Sequence, residues 1–547
     1  MRRNKSATLL GISESSLDHI ESLPMHLRLG IKKNFTEETM DDVAVNNKKE
    51  HMHQMLDIVV LGASGDLAKK KTYPSFFDLY LHGFIPESTV IVGYARSSMT
   101  DEAFRDYIRP FLTADTEDLL QKRESFVSKC YYFSGQYDSS EAFAALGNRL
   151  NELEELTTCE QSSSNRLFYF AVPPNVFIPA AQSIKANALT SSGWNRLIVE
   201  KPFGHDLKSA KEMLNQLSAL YNEDQIYRID HYLGKEMVQN LLMFRFANII
   251  FEPLLNNRYV QCVTITFKED FGTDGRGGYF DKYGIIRDIM QNHLLQVMSL
   301  IAMEAPVKVT GASNSNYVRD AKVNALRAIH PIKIEDVIIG QYVADDEGKN
   351  PGYLDDPTVD PNSTTATYAL VVMYVNTPRW AGVPFIMKAG KALDNRKAEV
   401  RIQYKDTPGL PFMFDTDDCP RNELVMRLQP EESVYMKMMV KKPGLFTTPI
   451  QSELDLNFVT RHQAYRPEAY TRLLLDATRG NQSGFVRGDE LEMAWRIFSP
   501  VLEELEAKKI KPLPYKFGSR GPPEADERIA QLGYKFDPNY EWINARL

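Results

Sequence analysis

A chain of 547 residues is too long for one small core, and at about 100 to 200 residues per domain it should hold two or three. Its 43% hydrophobic and 25% charged residues are ordinary for a globular protein, which excludes a fibrous or disordered class. The net charge of -8 argues against a general nucleic-acid binder, whose surface must be basic, and leaves room only for a local basic pocket.

Residues 1–53 mix charged and polar residues without sustained periodicity and are read as an extension outside the main fold. Their start is basic, but Glu14, Asp18 and Glu21 follow soon, which suits neither a secretory signal nor a transit peptide. From about Asp57 the apolar run Ile58-Val59-Val60-Leu61 reads as a buried strand. It turns at once through Gly62-Ala63-Ser64-Gly65-Asp66-Leu67 into a helix N-terminus, where backbone N–H groups and the helix dipole can hold a pyrophosphate. The spacing Gly-x-x-Gly-x-x-Ala departs from the usual dinucleotide fingerprint, and a plain tight turn is the competing reading. The next strand, Thr89 to Gly93, leads to Arg96, where an NAD enzyme usually offers an acid; an arginine there suits the 2′-phosphate of NADP, unless it is merely solvated. Strands at 131–133, 167–172 and 197–199 alternate with helices at 141–156, 176–188 and 207–221, which predicts βαβ units and a doubly wound, Rossmann-like parallel sheet. The boundaries drawn are 1–53 for the extension, 54–228 for the dinucleotide-binding domain and 229–547 for a larger domain.

That sheet ends near Ile226 to Asp230, and the stretch Arg228 to Glu236 then sets Asp230, His231, Tyr232 and Lys235 at a strand-to-helix corner, where ligands of open α/β sheets bind. Lys235 opens a helical pattern. Beyond 250 the pattern becomes two-residue alternation at 263–267, 367–375 and 399–404, predicting antiparallel strands in an α+β domain. A glycine-rich loop precedes a long helix expected from about 279 to 303, which carries Arg287, Asp288, Gln291, Asn292 and His293. The four cysteines, Cys130, Cys159, Cys262 and Cys419, show no metal-ligand or disulfide spacing, so no metal is expected. No run approaches the roughly 18 apolar residues of a membrane span, so no membrane partner and a cytoplasmic location are expected. The competing address is Ala545-Arg546-Leu547, a variant of the Ser-Lys-Leu peroxisomal signal.

Four segments, GASGDLAKKK (62–71), EKPFGHD (200–206), RIDHYLGKE (228–236) and RDIMQNH (287–293), resemble the glucose-6-phosphate dehydrogenase family in order and separation. The resemblance runs from about residue 55 to the C-terminus. It implies hydride transfer from C1 of glucose 6-phosphate to NADP, giving the 6-phosphogluconolactone, in a homodimer or homotetramer. The residues suit that chemistry: a hydroxyl losing hydride must lose a proton in step, and a neutral imidazole of pKa near ~6.5 can take it. His293 is the candidate base. Asp288 and Asp230 compete to hold its other nitrogen. In an α-helix Asp288 would lie about 140° round from His293, which favours Asp230, as the resemblance also does. By resemblance Lys201 lies between coenzyme and sugar, and His231, Tyr232 and Lys235 hold substrate, the first two at its phosphate end. Glu269, Asp288, Lys391 and Gln429 match further substrate contacts. Gly62, Ser64, Gly65, Asp66, Leu67, Arg96 and Lys201 are the coenzyme candidates. Lys397, Arg401, Arg427, Tyr435, Lys437, Asp455 and Trp542 match residues lining a second, structural NADP in eukaryotic members, although such a surface could equally be a dimer rim. Phe536 stands where the family pattern has a tyrosine.

Two other readings compete. Another class of sugar oxidoreductase also joins a dinucleotide fold to Glu-Lys-Pro, but it does not account for the His-Tyr-Leu-Gly-Lys corner. A catalytically silent sensor would not need Asp230, Lys235 and His293 together.

Overall fold

Alternation along the first strand decides the first half of the structure, a computed structural model describing residues 54–157, 163–414, 420–445, 447–457 and 465–536. In β1 (Gln54–Leu61), Leu56, Ile58 and Val60 enter one hydrophobic cluster, while Met55, Val59 and Leu61 enter another on the opposite face. A strand covered on both faces belongs in the middle of a parallel sheet. Its neighbours are β2 (Val90–Ala95), β3 (Cys130–Ser134), β4 (Ser163–Phe170), β5 (Asn195–Val199) and β6 (Ile226–Arg228), in the spatial order β3-β2-β1-β4-β5-β6 with every ladder parallel. The order reverses between β1 and β4, and the crevice at the carboxyl ends of those two strands is where such sheets take ligands. β1 begins three residues before the expected Asp57, since Gln54 and Met55 already pair with Ser163 and Ser164.

The second half is built on nine strands: β7 (Val260–Lys268), β8 (Val337–Val343), β9 (Tyr368–Tyr374), β10 (Pro384–Gly390), β11 (Lys397–Tyr404), β12 (Glu423–Gln429), β13 (Ser433–Lys441), β14 (Pro449–Asn457) and β15 (Leu513–Lys516). They lie in the order β14-β13-β12-β11-β7-β10-β9-β8-β15. The sheet is mainly antiparallel, with β10 on β7 and β15 on β8 as its parallel ladders. The fold is therefore α/β joined to α+β. Among the described residues no helix is long and apolar enough to cross a membrane.

The long helix expected at 279–303 is not one helix. A short turn, Gly277–Phe280, gives way to a bend at Gly284, where φ is +66°, and the Ile285 N–H is tied to the Ala366 carbonyl at 2.9 Å. A π-helix then runs over Ile286–Leu294 and passes into an α-helix, Leu295–Ala302. Residues 1–53, Cys159, Cys419, Trp542 and the C-terminal Ala545-Arg546-Leu547 lie outside the described residues.

Candidate active site

The π-helix decides which side chains meet. In a π-helix hydrogen bonds run from i to i+5, so residues five apart stack on one face, and such segments are frequent at functional sites. Asp288 and His293 therefore share a face, and the expectation that α-helical geometry would separate them does not hold. Lys201, at the end of β5, reaches both. Its Nζ donates to the Asp288 carbonyl at 2.9 Å, lies 3.2 Å from Asp288 Oδ1 and stands 3.1 Å from His293 Nε2. Asp288 is still not the partner of the other ring nitrogen. His293 Nδ1 lies 2.5 Å from Asp230 Oδ1, which also accepts the Tyr232 N–H at 3.0 Å.

These contacts fix the protonation of the ring. A lysine ammonium only donates, so Nε2 must offer its lone pair, and Nδ1 must carry the proton that Asp230 accepts. His293 is buried at 2% exposure; burial depresses its pKa below the usual value, Asp230 opposes this and Lys201 adds to it. Burial would raise Asp230, but its interaction with His293, electrostatic and through the hydrogen bond, with His231 and Lys201 adding to it, outweighs burial and holds the carboxyl at about 2. The pair at neutral pH is a neutral imidazole on a carboxylate, with a basic nitrogen facing Lys201. Asp230, His231 and His293 lie close enough to suggest a metal cluster. However, the first and last spend their bond on each other, and the ammonium beside Nε2 already places a positive charge there.

The corner after β6 packs around this pair. The Tyr232 ring stacks on His293 with centroids 4.5 Å apart, and His231 meets it edge-on at 4.6 Å. Burial pushes His231 well below the usual histidine range, so it too is neutral. Lys235 sits at the N-cap of the helix Glu236–Phe246, with its Nζ 2.9 Å from Gln429 Oε1 and 5.0 Å from the Tyr232 ring centre. Lys391 forms an ion pair with Glu269, and its charge helps to lower Asp288. The structure thus brings together Lys201, Asp230, His231, Tyr232, Lys235, Glu269, Asp288, His293, Lys391 and Gln429.

Several members of this neighbourhood escaped the sequence reading. Glu200, beside Lys201, is buried and accepts a hydrogen bond from the Tyr169 hydroxyl; burial pushes its carboxyl up to about 7, with Tyr169, Lys201 and Tyr470 opposing. Tyr470 also lies parallel to His231 at 6.0 Å, and Arg396 contributes, after burial, to lowering Lys235. Glu200 lies inside the segment 200–206, which is the signal that marks it. Tyr470 and Arg396 are brought in by the fold, and nothing beside them in sequence marks them.

A dinucleotide fits the crevice at β1. Gly62 has φ +83°, and a Cβ there would lie 2.1 Å from the Ala171 carbonyl oxygen, so the turn needs glycine. The first turn of a helix leaves its N–H groups without intrahelical partners, and the chain becomes helical from Asp66 with Ser64 exposed and Gly65 and Leu67 half-buried beside it. Asp66 itself is exposed and bonded to Lys69 at 2.8 Å and Lys70 at 3.0 Å. Arg96, exposed directly after β2, stands at the same carboxyl edge.

The second group of basic candidates lies on neighbouring strands, Lys397 and Arg401 on β11, Arg427 on β12, Tyr435 and Lys437 on β13, and Asp455 on β14. Arg401 bridges Glu399 and Glu423 at 2.8 Å each; Lys397 meets Glu399 at 2.9 Å and Lys437 meets Glu423 at 3.3 Å. Burial would raise Glu399, but Arg401 and Lys397 hold it far below the usual range. Four cations against Glu399, Glu423 and Asp455 leave this set of side chains net positive, which fits an anion. Arg520 stacks on Phe536 at 4.4 Å.

Residues 59–240 match the family model described as glucose-6-phosphate dehydrogenase, NAD binding domain, and residues 242–538 match its C-terminal domain. Glucose-6-phosphate 1-dehydrogenase of Takifugu rubripes is 50% identical over 502 residues, covering 91% of this chain and 92% of that protein. The cytoplasmic glucose-6-phosphate 1-dehydrogenase 5 of Arabidopsis thaliana is 51% identical over 496 residues, 89% of this chain and 93% of that one. A solved glucose-6-phosphate dehydrogenase in complex with its substrate glucose 6-phosphate superposes with a TM-score of 0.83 at 45% identity, covering 88% of this chain and 98% of that chain.

Proposed function

The chain belongs to the glucose-6-phosphate dehydrogenase family, and from that membership we propose that it oxidises glucose 6-phosphate at C1 to 6-phosphogluconolactone with NADP, the opening step of the oxidative pentose phosphate pathway. The observation that carries the assignment of roles is the ordered chain Asp230–His293–Lys201, which leaves a basic nitrogen beside the Lys201 ammonium. His293 Nε2 takes the proton of the C1 hydroxyl. Asp230 keeps the tautomer through the Nδ1 proton and stabilises the imidazolium as it forms. Lys201, released from Nε2 by the incoming hydroxyl, turns its donors to the substrate and the coenzyme. His231, Tyr232 and Lys235 hold substrate, the first two at its phosphate end, and Glu269, Asp288, Lys391 and Gln429 orient the sugar through its hydroxyls.

NADP, when bound, supplies the hydride acceptor. Gly62, Ser64, Gly65, Asp66 and Leu67 would hold its pyrophosphate half, Arg96 its 2′-phosphate, and Lys201 its nicotinamide end. Lys397, Arg401, Arg427, Tyr435, Lys437 and Asp455, with Trp542 from beyond the described residues, would line the second, structural NADP site; the net positive set on β11 to β14 supports this. The division of the chain is 1–53, 54–228 and 229–547. The working assembly is a homodimer or homotetramer, for which β14 offers support as an edge strand with unpaired backbone groups and an exposed Leu454. The location is cytoplasmic.

The direct test is growth of NADPH absorbance when purified protein receives NADP and glucose 6-phosphate. Turnover that depends on both is expected; none with either coenzyme, from folded protein, would overturn the reading.

A further inference from the structure

The π-helix needs a cause in its own residues. The segment Ile286–Leu294 reads Ile-Arg-Asp-Ile-Met-Gln-Asn-His-Leu, without the glycine or proline that usually explains a departure from α-helix. Within it, Asn292 turns its side chain back on the helix. Its Oδ1 accepts the His293 N–H at 2.7 Å, and its Nδ2 donates to the Arg287 carbonyl, five residues back, at 3.2 Å. A backbone N–H can only donate and a carbonyl can only accept, so the orientation of the amide is settled by its partners.

These two bonds sit at the ends of the five-residue step. One fastens the backbone of the base itself. The other holds Arg287, next to Asp288, whose own carbonyl accepts Lys201. Asparagine is a poor helix former because its amide competes for nearby backbone groups, and here the competition favours the wider turn. We propose that Asn292 is a positioning residue, whose side-chain amide holds the π-helical turn that keeps His293 against Asp230 and Lys201. Were the segment to relax to α-helix, Asp288 and His293 would part by about 140°, and Lys201 could no longer bond both.

The proposal rests on reading His293 as the base, so its test needs a measurement of position as well as of rate. In the full-length protein with labelled histidine, the short Nδ1–H···Asp230 bond should give a low-field proton resonance. In Asn292→Ala that resonance shifts or disappears and kcat falls about 10- to 100-fold, while KM for glucose 6-phosphate stays within about threefold and the unfolding temperature is little changed. Asn292→Asp, which keeps the acceptor and loses the donor, falls between. A parental resonance in Asn292→Ala overturns the proposal whatever the rate, and so does a parental rate. If Asn292→Ala does not fold, a parental resonance and rate in Asn292→Asp overturn it instead. An active His293→Asn would fail the base assignment alone, because the resonance reports the geometry without reference to chemistry.

Discussion

Asp230→Asn is the perturbation whose consequences the structure specifies most fully, because it alters two observables in different ways. The carboxylate oxygen stands 2.5 Å from His293 Nδ1, and the imidazolium charge is shared over the ring, at a separation of roughly 4 Å. At an effective dielectric constant near 20 such a pair is worth about 4 kcal/mol. With about half of a unit charge developed on the ring in the transition state, the loss is about 2 kcal/mol, or about 30-fold in kcat. An asparagine that presents its NH2 to Nδ1 also imposes the wrong tautomer, a fault that costs up to about 10⁴ in comparable constellations. The expected fall in kcat thus lies between about 30-fold and 10⁴-fold. The acid limb of kcat/KM, which reports the base in the free enzyme, should meanwhile move to lower pH. Burial already holds the His293 pKa down and Asp230 opposes it, so removing that opposition lowers the pKa further. Steady-state kinetics across the acid range, with circular dichroism to verify folding, measures both. A plateau within about twofold of the parent, or an acid limb displaced upward, would refute the reasoning.

Arg96→Ala should raise KM for NADP while leaving use of NAD nearly untouched, since only the 2′-phosphate loses a charged partner; equal losses would remove Arg96 from that role. Lys235→Ala should weaken glucose 6-phosphate far more than free glucose, and a common loss for both sugars would mean that the lysine supports the fold instead. Glu200→Gln should make the protein more resistant to heat above neutral pH. The Glu200 carboxyl is raised from 4.5 to about 7, so the stability it contributes is complete below 4.5 and lost as pH rises through 7. The substitution should therefore stabilise by up to about 3 kcal/mol at pH 8 and hardly at all near pH 4, and an equal effect at both would contradict the burial argument.

Most of the fold could be read from period alone. The parallel half follows from apolar runs ended by glycine or proline, the second from two-residue alternation, because those periods are what sheet packing selects. What escaped came from contacts that period does not encode. The π-helix is invisible to a reading at 3.6 residues per turn, which puts Asp288 on the wrong face even though Asp230 does contact His293. Tyr470 and Arg396 reach the corner from more than a hundred residues away in sequence. The carboxylates Glu399 and Glu423, which clamp the second basic cluster, meet its cations through strand pairing that the sequence does not display. β1 begins earlier than its apolar run because Gln54 pairs through its backbone, which needs no apolar side chain.

The central claim is that His293 removes the C1 proton, and His293→Asn tests it most directly. The amide keeps the size of the side chain and some of its hydrogen bonding but cannot accept the proton. Glucose 6-phosphate and NADP should still bind, with substrate affinity within about tenfold, while kcat falls by about 10² to 10⁴. Adding Asp230→Asn should cost little more, because the pair acts as a unit. A folded His293→Asn protein that binds both ligands and turns over at close to the parental rate would contradict the account.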